Sequence, residues 1–310
     1  MKNESIINGN FYMQGFYFDT IVEINIYCNL DKGNEILNKS FDICKYYEEL
    51  LSKTKEGSDI YNLNNSGENG VNVDNETLSI INKSLYYSEL SNGNFDISVQ
   101  PLLKLWNFKS EDKVIPNQKD IDENLEFVNY KNILVNKNNV KFKKNGMSID
   151  LGGIAKGYIA NKIKEYLVSE GVSSGIINLG GNVLCVGKKD NGEDFRIGIQ
   201  KPFSDRGEVL GVVKVCGKSV VSSGIYERFF KKENKIYHHI ISPKDGKPFE
   251  SDLIQVTIVS DDSMDGDALS TIALSLGEEE GLKLINSIND VEGIFINKNG
   301  SIKFTDNIQI

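Results

Sequence analysis

The chain has 310 residues, 39% hydrophobic and 25% charged, the balance of a soluble globular protein with enough apolar surface to bury a core. A formal net charge of −9 argues against a general nucleic-acid binder, which needs a basic face to displace counterions, and against docking on an anionic membrane through a basic patch. It leaves room for a buried, locally basic site that holds a phosphate ligand.

The N-terminal stretch "MKNESIINGNFYMQGFYF" has no apolar run of the kind a signal peptide needs, and no transmembrane span is expected. As written the chain reads as cytoplasmic; a mature fragment of an exported parent would be extracytoplasmic or membrane-associated. Residues 18–28 alternate apolar and polar, as a half-buried strand does. From Asp31 to Leu51, Ile36, Ser40, Ile43, Cys44, Tyr47, Leu50 and Leu51 fall at helical spacing. "EGSDIYNLNNSGENG" reads as a polar loop. Asn75 to Leu90 predicts a second helix, capped by Asp74 or Asn75 and stopped near Gly93. "NGNFDISVQPLLKLWNF" follows with the only tryptophan, then a charged connector from Lys109 to Asn124 with room for a short helix.

"NILVNKNNVKFKK" predicts a hairpin. A β-like stretch ends at Asp150, a glycine turn follows, and a helix runs from about Ile154 to Ser169. "GIINLGGNVLCVG", "FRIGIQ", "VLGVVKVCGKSVVSSG", "IYHHIIS" and "DLIQVTIVS" predict further strands. Helices are expected from Met264 to Leu276 and from Glu278 to Ser287, with "EGIFINKNGSIKFT" as a closing hairpin. No composition break marks a linker, so residues 1–310 are expected to form one α+β domain of mostly antiparallel sheet with packed helices.

Cys28, Cys44, Cys185 and Cys216 form no C-x-x-C pair, and the only histidines are the adjacent His238 and His239. That pattern argues against a zinc cluster. Buried free thiols are expected for Cys28 and Cys185.

Two features point to chemistry. The pairs Gly152-Gly153 and Gly180-Gly181 either cradle a ligand through close backbone N–H groups or are connections that need small residues. The first pair precedes a helix, where Lys156 could meet a phosphate and Asp150 could accept from a base or sugar. Neither the Walker nor the G-x-G-x-x-G spacing is present. The second feature is "SDDSMDGDALSTIALSLG". Asp267 and Thr271 are four apart and share a helix face, a carboxylate and hydroxyl suited to a hard cation such as Mg²⁺. Asp261, Asp262 and Asp265 read as capping or solvated acids. His238 and His239 sit in a β-like run beside the turn "PKDGKP", so one of them can face a site.

Taken in order, "GNFDISVQPLLKLWNF", "IDLGGIAKGYIANKI", "INLGGNVLCVG", "SSGIYERFF", "HHIISPKDGKP" and "DGDALSTIALSLG" resemble the successive signatures of the ApbE family of FAD:protein FMN transferases, from about Phe18 to Leu284. The resemblance implies an ApbE or T-fold-like α+β fold and an Mg²⁺-dependent transferase. FAD is its substrate, and FMN passes through a phosphoester to a threonine of an acceptor protein, a membrane redox subunit or secreted flavoprotein, with release of AMP. Residue by residue, it implies flavin contact for Asn94, Phe95 and Asp96, FAD contact for Asp150, Lys156 and Ile241, metal binding by the Gly153 oxygen, Asp267 and Thr271, and activation of the acceptor hydroxyl by His239. Three motifs depart from the family pattern: Ser242 and Asn182 replace acids, and "FDT" at Phe18–Thr20 replaces "M-G-T". A flavin-storing protein and an Mg²⁺-dependent FAD pyrophosphatase are the alternatives.

Overall fold

The computed structural model describes residues 8–29 and 31–308; residues 1–7 of the stretch read for a signal segment lie outside it. The chain opens with β1 (Asn8–Tyr17) and β2 (Thr20–Asn29), then α1 (Gly33–Leu51), α2 (Asp59–Asn64), β3 (Val71–Asn72) and α3 (Asn75–Leu90). A 3₁₀ turn at Ile97–Val99 leads into α4 (Gln100–Trp106) and α5 (Gln118–Leu125), and another at Tyr130–Asn132 into the hairpin β4 (Ile133–Asn136) and β5 (Asn139–Phe142). Next come α6 (Ala155–Ser169), β6 (Ser174–Leu179), β7 (Asn182–Gly187), β8 (Phe195–Gln200), β9 (Val209–Val215) and β10 (Ser219–Gly224). The chain continues with β11 (Phe229–Lys232), β12 (Lys235–His238), β13 (Leu253–Ser260), α7 (Ser263–Leu276), α8 (Glu278–Asn286), β14 (Glu292–Asn297) and β15 (Ile302–Phe304).

Eight strands form the main sheet in the order β1-β2-β6-β7-β10-β13-β14-β15. Every strand pair among the described residues is antiparallel, so the fold is α+β as expected. One face carries α1, α6, α7 and α8, and the core between the layers gathers Ile24, Ile26, Leu37, Ile163, Leu167, Val256, Ile258 and Leu269. The other face is covered by the β8–β9 hairpin, where Ile197, Ile199, Val213 and Val215 pack on Cys185, Val220, Val259 and Ile294. α7 is buried almost all round, as a helix rich in Ala, Leu and Ile must be when sheet and neighbouring helices enclose it. No helix among the described residues is long and apolar enough to cross a membrane. Cys28, Cys44 and Cys185 are buried free thiols, and Cys216 is exposed and free.

Several local expectations are corrected. β1 pairs with β2 along its whole length, through a turn at Phe18-Asp19 where both residues have positive φ, 55° and 59°. Phe18 therefore belongs to the turn rather than the strand, and its N–H is held by Glu48 Oε1 at 2.8 Å. The polar loop contains α2, whose Ile60 and Leu63 are buried. Residues 147–150 form no strand. The "IYHHIIS" strand stops at His238, so His239 stands on the following loop.

The two glycine pairs separate in role. Gly180 and Gly181, with φ of 63° and 96°, make the two-residue turn between β6 and β7, a hairpin geometry that needs both residues left-handed. Gly152 and Gly153 lead into α6 without positive φ. The close approach in that segment falls at Gly157, where a Cβ would lie 2.1 Å from the Ser263 carbonyl oxygen and 2.5 Å from Met264 Cα. The backbones of α6 and α7 therefore touch at this point, and any side chain would push them apart. This contact brings the Gly152–Gly157 segment onto the start of α7.

Candidate active site

The acids of the α7 segment sort by what they touch. Asp262 is the N-cap, accepting from the Met264 and Asp265 N–H groups at 2.8 and 3.2 Å, which satisfies two of the helix's orphan donors. Asp261 pairs with Lys218 at 2.9 Å and Asp265 with Lys83 at 2.8 Å. Asp267 alone turns inward, only 5% exposed. Its Oδ2 accepts from the Gly157 N–H at 3.1 Å. Burial raises its pKa, against the opposing pull of the Lys156 cation, the Gly157 N–H and the Asn182 amide.

One turn further along α7, Thr271 Oγ1 lies 3.1 Å from Ser223 Oγ, which also meets Ser270 Oγ at 2.8 Å. Ser223 thus orients the threonine hydroxyl from β10. Gly153 sits against the same group: a Cβ there would be 3.1 Å from Phe95 Cε2 and 4.0 Å from Thr271 Oγ1. The fold therefore gathers Phe95, Gly153, Thr271 and Asp267, from three distant segments, around one point. Among the described residues no backbone N–H donates to the Gly153 carbonyl, and no cluster of three or more His, Cys, Asp or Glu is placed to hold a metal. One carboxylate, one hydroxyl and a free backbone oxygen fit a hard cation that takes its remaining ligands from phosphate, the habit of Mg²⁺.

The loop carrying Asn94–Asp96 is held by its own polar groups. The Ser91 hydroxyl accepts from the Phe95 N–H at 2.9 Å. Asp96 is buried; its Oδ1 accepts from the Ser98 N–H and hydroxyl at 2.7 and 2.6 Å, and its Oδ2 from the Tyr130 N–H at 2.8 Å. Asp96 thus ties its own loop, through Ser98, to the 3₁₀ turn at Tyr130. The Asp150 N–H donates to the Ile97 carbonyl at 2.8 Å, which joins this loop to the glycine segment. Asp150 Oδ1 accepts from the Gly152 N–H at 2.7 Å, and Oδ2 pairs with Lys53, whose Nζ also donates to Gln100 Oε1 at 3.1 Å.

His239 Nδ1 lies 3.2 Å from the Arg228 carbonyl oxygen. A carbonyl can only accept, so Nδ1 carries the proton and Nε2 keeps its lone pair. Burial, then the Arg228 guanidinium and the His238 and Lys156 charges, push the His239 pKa down to about 4. Lys156 thus bears on both His239 and Asp267. His238 is buried, with Nε2 3.0 Å from the Phe249 carbonyl, and burial pushes its pKa down to about 4 as well. Ile241 packs its side chain elsewhere, in an apolar cluster with Leu102, Trp106, Ile121 and Phe230.

The two histidines make folding stability depend on pH. Unfolded, each takes a proton near pH 6.5; folded, only near 4. Between these values the unfolded chain binds more protons, so stability falls as pH drops from about 6.5 to about 4. For the buried His238 the loss is on the order of 1–3 kcal/mol. Urea unfolding at pH 7.0 and 4.5 checks this: His238→Gln should flatten the pH dependence, and an unchanged slope would show that His238 does not carry it.

Sequence reasoning missed Ser223, Lys53 and the Gly157 N–H. Ser223 was within a quoted motif, but nothing local marks which hydroxyl meets Thr271. Lys53 and Gly157 find their partners only through the fold.

Comparison with known proteins shows the family to which this fold belongs. The model of the ApbE family matches residues 18–295. A FAD:protein FMN transferase of Klebsiella pneumoniae (strain 342) is 34% identical over 270 residues, 86% of this chain and 84% of that protein. The FAD:protein FMN transferase of Treponema pallidum (strain Nichols) is 31% identical over 276 residues, 84% of this chain and 76% of that protein. Among solved structures, the ApbE protein of Thermotoga maritima superposes with a TM-score of 0.89 at 30% identity, covering 96% of this chain and 97% of that one. The flavin transferase ApbE of Vibrio cholerae, at 22% identity and a TM-score of 0.85, shares the fold. With the family model matched over residues 18–295 and relatives 34% and 31% identical over more than four fifths of its length, the chain belongs to the ApbE family.

Proposed function

We propose that this chain is a Mg²⁺-dependent FAD:protein FMN transferase that moves FMN from FAD to a threonine of an acceptor protein and releases AMP. The observation that carries this reading is the convergence of Asp267, Thr271 and Gly153 beside Lys156. It is supported by the names of the relatives, FAD:protein FMN transferase. A protein that only stored flavin would have no use for a carboxylate–hydroxyl pair gathered on a free backbone oxygen.

Asp267, Thr271 Oγ1 and the Gly153 carbonyl would hold Mg²⁺, which when bound neutralises pyrophosphate charge. Lys156 adds a cation at the phosphoryl oxygens, where a positioned charge stabilises the developing negative charge. Asn94, Phe95 and Asp150 border the flavin nucleotide. His239, neutral with Nε2 free, takes the proton from the acceptor threonine hydroxyl, which is a poor nucleophile until deprotonated. The threonine oxygen bonds to the FMN phosphorus, the bond from that phosphorus to the bridging oxygen breaks, and AMP leaves with that oxygen. The acceptor is expected to be a membrane redox subunit or a secreted flavoprotein.

Phosphorus-31 NMR of FAD with the protein, Mg²⁺ and a threonine-bearing acceptor tests the reading. The pyrophosphate signals should give way to AMP and a phosphodiester together, and chelation of the metal should stop both. Turnover that persists in excess chelator would rule out the metal-assisted reading.

A further inference from the structure

Asn182 opens β7 and is 1% exposed. Its Oδ1 accepts from the Ser263 hydroxyl at 2.7 Å, while its Nδ2 is buried without a hydrogen-bond partner. A buried amide is rarely left half-satisfied. Ser263 and Asp267 stand four residues apart on α7, on one face of the helix, so the anchor of Asn182 lies one turn from the inward carboxylate. Rotated the other way, the amide would present its oxygen to that carboxylate, oxygen against oxygen. The orientation with Nδ2 toward Asp267 is the one electrostatics favours. Asp267 Oδ2 is already taken by Gly157.

We propose that Asn182 is a positioning residue for Asp267, its Nδ2 donating to the carboxylate when that group turns to a cation, and that this neutral amide leaves the seat with a single negative charge, so that the cation enters together with the FAD pyrophosphate rather than ahead of it. The inference rests on the metal-assisted reading above. A donor behind a metal-binding carboxylate fixes its direction, and the affinity of a hard-cation seat follows its count of charged ligands. One carboxylate is a weak seat until phosphate oxygens complete it.

Mn²⁺ as the probe, followed by the EPR signal of the free ion, tests this without reference to turnover. Wild-type protein should take up Mn²⁺ with FAD present and at least about tenfold more weakly without it. Asn182→Asp supplies a second carboxylate and keeps an acceptor for Ser263; its FAD-free Mn²⁺ affinity should rise about 10–100-fold, and Asp267→Ala in that background should remove the gain. Ser263→Ala leaves both side chains in place but frees the amide, and should weaken Mn²⁺ uptake with FAD several-fold. If Asn182→Asp binds FAD-free Mn²⁺ no better than wild type, or wild type binds it equally well with and without FAD, the inference falls and the metal-assisted reading stands. If Asn182→Asp does not fold, unchanged uptake by Ser263→Ala overturns the inference. A wild type that takes up no Mn²⁺ with FAD overturns both.

Discussion

Asp267→Ala should lower FAD turnover in Mg²⁺ by about 10³-fold, roughly 4 kcal/mol of transition-state stabilisation. Asp267 is the only group of the three assigned to the cation that can carry a negative charge, and Thr271 and Gly153 offer neutral oxygens alone. Without the carboxylate the pyrophosphate loses its main route to charge neutralisation, and Lys156 cannot replace a divalent ion. The substitution also leaves the Gly157 N–H buried without its acceptor, at a cost of about 1–3 kcal/mol, partly offset because a buried carboxylate no longer needs to be desolvated. Asp267→Asn separates the two effects. It keeps an acceptor for Gly157 and nearly the same volume, so its thermal midpoint should stay near wild type while turnover stays lost. Full activity in either variant would remove Asp267 from the metal seat.

His239→Ala should lower transfer to an acceptor by about 10²–10⁴-fold, the usual worth of a positioned general base, while FAD affinity by flavin fluorescence titration stays within about twofold. The Arg228 carbonyl at 3.2 Å fixes the proton on Nδ1, and the lowered pKa, about 4, keeps the ring neutral with Nε2 open across the physiological range. Protonation of His239 should therefore not depress the wild-type rate between pH 7 and about 5.5. His239→Gln serves as the control: it can still donate to Arg228 but cannot take up a proton, and it should be as slow as His239→Ala. Transfer that survives both substitutions would assign the base to another group.

Where local rules dominate, the sequence was legible. Asp74 caps α3 by accepting from the Glu76 N–H, and the helix runs from Asn75 to Leu90 as its periodicity predicts, because an Asp before an apolar-periodic run is a strong start signal. α7 and the closing hairpin read equally well. α2 was hidden because six residues carry too little periodicity to stand out from an Asn-rich loop. β1 alternates only weakly and lies at the sheet edge, half exposed, so its pattern is diluted. The segment before Asp150 looked like a strand because Ile149 and Met147 are buried. Its hydrogen bonds go instead to the Asn64 side chain and the Ile97 carbonyl, partners with no trace in local sequence.

The site divides in the same way. Asp267 and Thr271 share a helix face, which four-residue spacing reveals directly. Gly153 and Lys156 were placed by the family's motif order, and their approach to α7 depends on the Gly157 contact, a packing fact between segments more than 100 residues apart. Asp96 caps its own loop, as a short acid two residues before an N–H does, a contact that spacing alone does not separate from a ligand contact. Ser223 and the orphaned Asn182 amide became visible only once β7, β10 and α7 were stacked.

Incubation of the protein with FAD, Mg²⁺ and a membrane fraction from the source cells, followed by denaturing electrophoresis read for flavin fluorescence and nucleotide analysis of the supernatant, tests the account most directly. The account predicts a fluorescent protein band whose flavin survives denaturation and maps to a threonine, with one AMP released for each FMN attached and neither product in Asp267→Asn. FAD split to free FMN and AMP with no protein-bound flavin, or FAD left intact, would contradict it.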